Sequence, residues 1–590
     1  MKNWVSTGWR WVLGLPLLLA GIPPEATLPP PNILWVTVED ISPMLGVYGD
    51  PNATTPHLDA FSKRSVRFTN AFATAPVCSP SRSCIITGYH GSSLGTQHLR
   101  SEASIPETIR PFPKYLREAG YFTSNNVKED YNFIDNTIWD NSSRQAHWRQ
   151  REEGKSFFSV FNLMLTHQSG IFGDDAQYEQ RIKAFLPFIT RTSPEAIQLP
   201  PYYPDTPEIR KLWARYYTNV SIVDYQFSQF LQELEEDGLS DNTIVFFYSD
   251  HGTGMPRHKR SLYDSGMKIP FMVHIPEKYA GKYPFKPGTL NNDFVTFLDL
   301  APTVLDIAGI KLPAGYAGKP IFDSGEIKSR EYIYGASDRV DEGFEMARSI
   351  RTKQYLYIRN YLPHLPLIQP NWYTDQSEIM RALTQARNSP DLTQAQKTMF
   401  APTRPVEELY DVVRDPHQLH NLASEKRNAG LIRKMRKTLR QEILKNHDTA
   451  FAPEPELFRL SRGTTPFEFS QDRAKYPLPE LMKVCDLMLK TDLTEKDLTP
   501  YLTHQNGLVR YWAVVAARQM DNTKNALKPQ LQKLLRDEVP TVQIEAAKLL
   551  AEQGDTQGVN LIVSHLQSDD SPLVLYAARA LQDLALRYGV

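Results

Sequence analysis

Apolar runs of strand length punctuate the first half of the chain. Asn32–Val38 (NILWVTV) and Thr243–Ser249 (TIVFFYS) are continuously hydrophobic instead of alternating, and Phe157–Leu163 (FFSVFNL) is a third run of similar grain. Continuous hydrophobicity predicts strands buried on both faces, as in an α/β sheet. The first run ends in Glu39-Asp40, the second in Asp250-His251, and the third delivers Thr166-His167. Ligands of such sheets sit at the carboxyl ends of strands, so these ends point at one site. Phe294 to Ala308 reads as an amphipathic helix. Beyond Lys319 the pattern becomes short and alternating, in Tyr332–Tyr334, Ala347–Arg351, Tyr355–Ile358 and Glu408–Asp411, which predicts an antiparallel sheet. A helix from about Ala429 to Leu444 closes that unit.

The last part of the chain repeats itself. Val509–Val514, Val542–Ala547 and Leu573–Ala578 share a frame whose alanines, Ala513, Ala546 and Ala577, lie 33 and 31 residues apart. Each is preceded by a polar turn such as Asp537–Pro540 or Asp569–Pro572. Small residues permit close helix packing, and the array resembles stacked HEAT-type repeats. The expected division is a leader at 1–26, an α/β domain at 30–330, an antiparallel subdomain at 331–445, a linker at 446–475 and HEAT-like repeats at 476–590.

Length and composition narrow the function. At 590 residues, 41% apolar and 23% charged, this is an ordinary globular chain of more than one domain. A formal net charge of −1 gives no global pull toward nucleic acid, so any polyanion must be held by a local basic cluster. Three cysteines, Cys78, Cys84 and Cys485, make no disulfide framework. Lys2 and Arg10 precede an apolar run from Trp11 to Ile22, too short for a stable membrane span and laid out like a secretory signal. A secreted or periplasmic protein is expected.

The most unusual local sequence is Cys78-Ser79-Pro80-Ser81-Arg82-Ser83-Cys84-Ile85-Ile86-Thr87-Gly88. It follows a loop and lies near a helix N-terminus, where backbone N–H groups favour an anion. The stretch resembles the type I sulfatase signature, Cys-x-Pro-Ser-Arg, two residues, two apolar residues and Thr-Gly, and matches it at every defined position. The resemblance implies an alkaline-phosphatase-like α/β fold and oxidation of Cys78 to formylglycine (3-oxoalanine) by a maturation enzyme. The hydrated aldehyde is a geminal diol. Sulfated on one oxygen, it expels sulfate by deprotonation of the other, so one hard displacement becomes two easier steps.

The same resemblance implies further site residues. Glu39, Asp40, Asp250 and His251, with the oxygens of residue 78, correspond to the ligands of a divalent metal. Oxygen donors suit Ca²⁺, with Mg²⁺ or another divalent cation as the alternative. Two departures stand out: the first pair is usually Asp-Asp, and the fourth ligand is often Asn where this chain has His251. Gly120–Lys128 resembles the second sulfatase signature and puts Lys128 at the sulfate-binding lysine, with Val127 replacing a glycine. Two residues on, the family commonly has His where this chain has Asp130, which leaves Asp130 and His98 as candidates for the base that drives sulfate elimination. His167 corresponds to the histidine that serves the leaving alcohol, a task suited to a pKa near neutrality. Lys259 matches a second sulfate-binding cation. Its neighbours Arg257 and Arg260 extend the anion clamp, and Arg82 orients the diol and balances charge. The loop Pro200–Asp205 either lines the mouth of the site or braces the fold.

The sequence therefore reads as an exported sulfatase acting on sulfated polysaccharide or oligosaccharide, similar to bacterial sulfatases related to the heparan N-sulfatase branch. The expected alternatives are N-sulfoglucosamine sulfate cleavage specifically, or a phosphate mono- or diesterase of the same superfamily. A cysteine inside the full signature argues against the phosphatase, which normally carries Ser or Thr.

Overall fold

The computed structural model describes Met1 and residues 29–283, 286–322, 330–520 and 524–589. The expected leader, Met1 apart, lies outside the described residues. Among them no helix is long and apolar enough to cross a membrane.

The larger sheet comprises β1 (Asn32–Val38), β2 (Val66–Phe72), β3 (Phe122–Asn126), β4 (Asn141–Ser142), β5 (Phe157–Leu163), β6 (Thr243–Ser249), β7 (Phe271–His274) and β8 (Leu290–Thr296). Their order is β4-β3-β5-β1-β6-β7-β2-β8. β1 lies between parallel neighbours β5 and β6, with Val38 in register with Leu163 and Ser249, so the three polar ends leave the sheet at the same edge. β7 is the antiparallel member.

The continuous hydrophobicity of β1 has a direct cause. Ile33 and Trp35 point into one core layer with Phe112, Phe158 and Phe246, while Leu34, Val36 and Val38 point into the other. That second layer is capped by the long Pro207–Glu236 helix through Trp213, Tyr216, Val220 and Phe227. Burying each such side chain contributes roughly 1.5–3 kcal/mol, so both faces hold the strand in place.

The smaller sheet is the expected antiparallel one: β9 (Tyr332–Ser337), β10 (Ala347–Thr352), β11 (Tyr355–Asn360) and β12 (Glu407–Asp411), in the order β12-β11-β10-β9. The Ala429–Lys445 helix packs on it through Ile432, Met435 and Leu439. Three repeat helices, Gly507–Ala517, Pro540–Glu552 and Ser571–Tyr588, carry the three predicted alanines.

Two expectations need correction. Phe294–Ala308 is not one helix. Phe294 and Val295 pair with Asn70 and Ala71 at the sheet edge, and the helix begins only after Thr296, whose backbone N–H donates to Asp299 Oδ2 at 3.1 Å. Pairing with a distant strand outweighs the local helical period. The stretch 446–475, expected as a linker, is folded. It folds into Thr449–Phe451, Glu454–Leu460 and Pro466–Gln471, with Phe451, Leu457 and Phe469 buried. Pro455 and Pro466 occupy the first two positions of their helices, where a missing N–H costs nothing, so these prolines start helices here. Trp512 of the first repeat helix donates its indole N–H to Phe451 O at 2.8 Å, and one core runs unbroken from the small sheet into the helical array.

Candidate active site

Cys78 begins the Cys78–Thr87 helix, every residue of which is buried. Ser81 Oγ donates to Asp250 O at 2.6 Å and ties this helix to the end of β6. The Cys78 Sγ lies 3.7 Å from Glu39 Oε2, 3.3 Å from His251 Nε2 and 3.2 Å from Lys259 Nζ. All three cysteines are free, so Cys78 and Cys84 are not paired.

Three carboxylates and three cations interlock around this sulfur. Arg82 pairs with Glu39 and reaches Asp250 Oδ2 at 3.3 Å. Lys128 pairs with Glu39, and Lys259 Nζ lies 2.9 Å from both oxygens of Asp40. Glu39, Asp40, Asp250 and His251 are completely buried. Charges are tolerated there only because each has an opposite partner.

The environment sets protonation accordingly. Burial would raise the Glu39 carboxyl, but Arg82 and Lys128 hold it well below the usual range. Burial would likewise raise Asp40, which Lys259 and His251 hold down. Asp250 is pushed up to about 7 by burial and by Glu39. The Cys78 thiol, which burial would raise, is pulled well down by Lys128 and Lys259: the site is arranged for an anion at residue 78.

The donor set fits a divalent cation. Glu39, Asp40, Cys78 and His167 offer ligand atoms within 4.8 Å of one another, and so do Asp40, Cys78, Asp250 and His251. His251 Nδ1 bonds Gly252 O at 2.8 Å, which makes it the donor and leaves the Nε2 lone pair facing Asp40 Oδ1 at 3.0 Å and Asp250 Oδ1 at 3.7 Å. This is the backbone-oriented histidine typical of metal ligands. Without a metal the carboxylates demand a proton at that atom: burial would lower the His251 pKa, yet Asp250 and Asp40 lift it to about 10. Asp40 has φ 55°, a left-handed conformation uncommon for a residue with a Cβ and frequent at functional sites. Gly254 makes room for it, since a Cβ there would lie 2.6 Å from Asp40 Oδ2.

His167 joins the cluster at the end of β5, with Nδ1 2.8 Å from Ser169 Oγ. Asp130 sits at the edge, accepting from Ser79 Oγ at 2.7 Å and lying 3.6 Å from Lys128 Nζ. Arg260 bonds Gln168 Oε1 at 3.0 Å and, with Lys259, lines an open cleft beside the cluster.

Two expected residues lie outside the cluster itself. Arg257 lines the same cleft as Lys259 and Arg260, but its guanidinium is clamped between the rings of Tyr202 and Tyr263, each 4.1 Å away, and donates to Gln418 O at 2.7 Å. The Pro200–Asp205 loop braces the fold, with Tyr202 and Tyr203 buried. His98 is buried beside Gln97, in a separate cavity with Arg339 and Glu454 at the junction with the helical array. A motif offset cannot reveal that a residue faces another domain.

Residues to which the sequence assigns no role complete the site. Asn162 accepts from Arg82 Nη1 at 2.8 Å and donates to Asn125 Oδ1 and Asn126 O, fixing the guanidinium. Thr166 Oγ1 donates to Glu39 O at 2.6 Å, and the Gln168 N–H donates to Asp40 Oδ2 at 2.8 Å. Asn162, an amide near the end of an apolar strand, was the available signal.

A mixed sheet presenting this cluster at its carboxyl edge, with a small antiparallel sheet beside it, is an alkaline-phosphatase-like hydrolase architecture. The chain belongs to the sulfatase family and is a sulfuric ester hydrolase. The sulfatase family model matches residues 31–310, the C-terminal domain model of N-sulphoglucosamine sulphohydrolase matches 255–379, and HEAT repeats match 495–582. An ulvan-active sulfatase of Formosa agariphila is 35% identical over 464 residues, covering 72% of this chain and 77% of that protein. Homo sapiens N-sulphoglucosamine sulphohydrolase is 26% identical over 467 residues, covering 71% and 91%. Among solved structures, a 2-O GAG sulfatase has the same fold (TM-score 0.53, 18% identity, covering 72% of this chain and 94% of that one). So does a protein solved with its substrate D-glucosamine-2-N,6-O-disulfate (TM-score 0.52, 16% identity, covering 71% and 99%).

Proposed function

We propose that this chain is an exported, formylglycine-dependent sulfatase that removes sulfate from a sulfated polysaccharide or its oligosaccharides. The observation that carries the reading is the buried cluster around Cys78, three carboxylates interlocked with Arg82, Lys128 and Lys259 at a helix N-terminus. In this reading Cys78 Sγ stands in for an oxygen of the hydrated formylglycine, made by a maturation enzyme. Relatives that bear the names of an ulvan-active sulfatase and a sulphoglucosamine sulphohydrolase support a sulfated carbohydrate as substrate.

Each residue then has a task. Glu39, Asp40, Asp250 and His251 would hold the divalent cation, Ca²⁺ by their oxygen-rich donors, and the bound ion would supply Lewis-acid chemistry there. Lys128 and Lys259 grip the sulfuryl oxygens, whose charge redistributes in the transition state. Arg82, fixed by Asn162, keeps Glu39 ionised and orients both Glu39 and Asp250. His167 gives a proton to the departing alcohol. Asp130, two residues from Lys128 and bonded to Ser79, is the remaining candidate for the base of sulfate elimination, because His98 faces another cavity.

The test is direct. Protein made with the maturation enzyme should carry a peptide around residue 78 lighter by about 18 Da than the thiol form. It should release sulfate from sulfated oligosaccharides, and Cys78→Ala should abolish release while leaving the fold intact. Turnover by protein that still bears the thiol refutes the reading.

A further inference from the structure

The cleft beside the reactive cluster has two sides of different origin. Lys259, Arg260 and Gln168 form the near side, and Gln369, Asn371 and Thr374 form the far one. The far side is held from the helical array. Arg579 of the Ser571–Tyr588 helix donates to Pro370 O at 3.1 Å and to Gln369 Oε1 at 3.1 Å. Gln369 in turn brackets Phe344, accepting from its N–H at 3.1 Å and donating to its carbonyl at 2.6 Å. Arg579 itself is 5% exposed and is steadied by Asp583 Oδ1 at 2.9 Å.

Trp372, 71% exposed, begins the short Trp372–Asp375 helix that also carries the lining residue Thr374 and follows the lining residue Asn371. Its backbone N–H donates to Glu342 Oε2 at 3.3 Å, and the ring of the next residue, Tyr373, meets Phe172 of the cleft at 5.7 Å. The backbone is thus fixed while the indole is left in water. A lone exposed aromatic needs no explanation on a blank surface. Here it is next in sequence to Asn371, a lining residue of the cleft that Lys259 and Arg260 of the proposed sulfate grip also line, and an indole face offers a flat, rigid platform of large area at little entropic cost.

We propose that Trp372 is the stacking platform of a distal saccharide subsite, taking a sugar ring that neighbours the sulfated one, and that Arg579 is the positioning residue by which the helical array holds it. This rests on the carbohydrate reading above and gives the repeats a part in choosing the substrate. It makes chain length a determinant of affinity: short substrates never reach the platform, while longer ones do.

The test uses full-length Cys78→Ala protein, which binds without turning over, titrated with size ladders of oligosaccharides from ulvan and from heparan sulfate. Trp372→Ala in that background should weaken binding of tetrasaccharides and longer chains about tenfold, the typical loss for an interfacial tryptophan, and leave disaccharides unchanged. Arg579→Ala should reproduce this length dependence more weakly, with partial recovery in Arg579→Lys. In otherwise active enzyme, Trp372→Ala should raise KM for long chains and leave kcat for a small aryl sulfate unchanged. Equal affinity of the Trp372 variant for every length overturns the platform. An Arg579→Ala loss that is equal at all lengths and tracks a lower melting temperature overturns the clamp. If neither ladder binds and the wild type releases no sulfate from them, the carbohydrate reading fails and takes the subsite with it; sulfate release with no Trp372 effect defeats the subsite alone.

Discussion

Lys259→Met is the sharpest probe of the proposed sulfate grip, because it removes a charge and nearly preserves shape. Lys259 Nζ lies 3.2 Å from the atom at position 78 and 2.9 Å from both Asp40 oxygens. Two unit charges at 3.2 Å and an effective dielectric constant near 20 interact by about 5 kcal/mol, which bounds what the ammonium can contribute to a developing anion. Part of that attraction is already spent on Asp40. Removal of one preorganised donor in comparable sites costs about 2.7–4 kcal/mol, so kcat should fall about 10²–10³-fold. The fold should persist, since Asp40 keeps the Gln168 N–H and His251. The assay is initial-rate sulfate release from an aryl sulfate, normalised to the fraction of chains carrying formylglycine, with a melting curve alongside. A folded variant whose kcat stays within about threefold of wild type would show that the lysine only neutralises Asp40, and the argument from charge would be wrong.

Two further outcomes follow from groups away from the cluster. Arg348, with none of its side chain exposed, engages Asp448 at 2.6 and 2.9 Å, Asp338 at 3.1 Å and two backbone carbonyls; Arg348→Ala leaves buried carboxylates unpaired and should cost about 3–5 kcal/mol in urea unfolding, with a loss under about 1 kcal/mol refuting it. Burial lowers the pKa of His90 to about 3, His98 to about 4 and His258 to about 3, so all three are neutral in the fold and must gain protons on unfolding. Their contribution is complete above the unfolded value near 6.5 and is lost as pH falls toward 4, at about 1.4 kcal/mol per pH unit for each; His98→Gln should reduce the proton uptake measured on unfolding over that range by about one.

What the sequence disclosed and what it hid divide along physical lines. β1, β5 and β6 were legible to the residue, because a strand sandwiched between two core layers must be apolar throughout. The chemistry at their ends was legible for a related reason: charged residues directly after such strands need partners, and the structure supplies them. β2 and β8 were not legible. β2 mixes buried and half-buried positions without a clean period, and Asn291–Asp293 of β8 is polar, so their strand character comes from pairing with each other across more than two hundred residues. His98 misled because spacing along the chain says nothing about which way a loop residue faces.

The shared interior of the small sheet and the repeats bears on how the protein comes to exist. Ile350, Tyr357 and Leu409 lie in the same core as Phe451, Trp512 and Leu550, which the ribosome delivers progressively later. Until the last helices emerge, the core that backs the small sheet beyond the Ala429–Lys445 helix stays open, and the wall that carries Trp372 lacks its anchor from Arg579. The repeats are therefore no detachable passenger. Shortening this gene from its 3′ end should yield an insoluble product well before it yields a smaller enzyme.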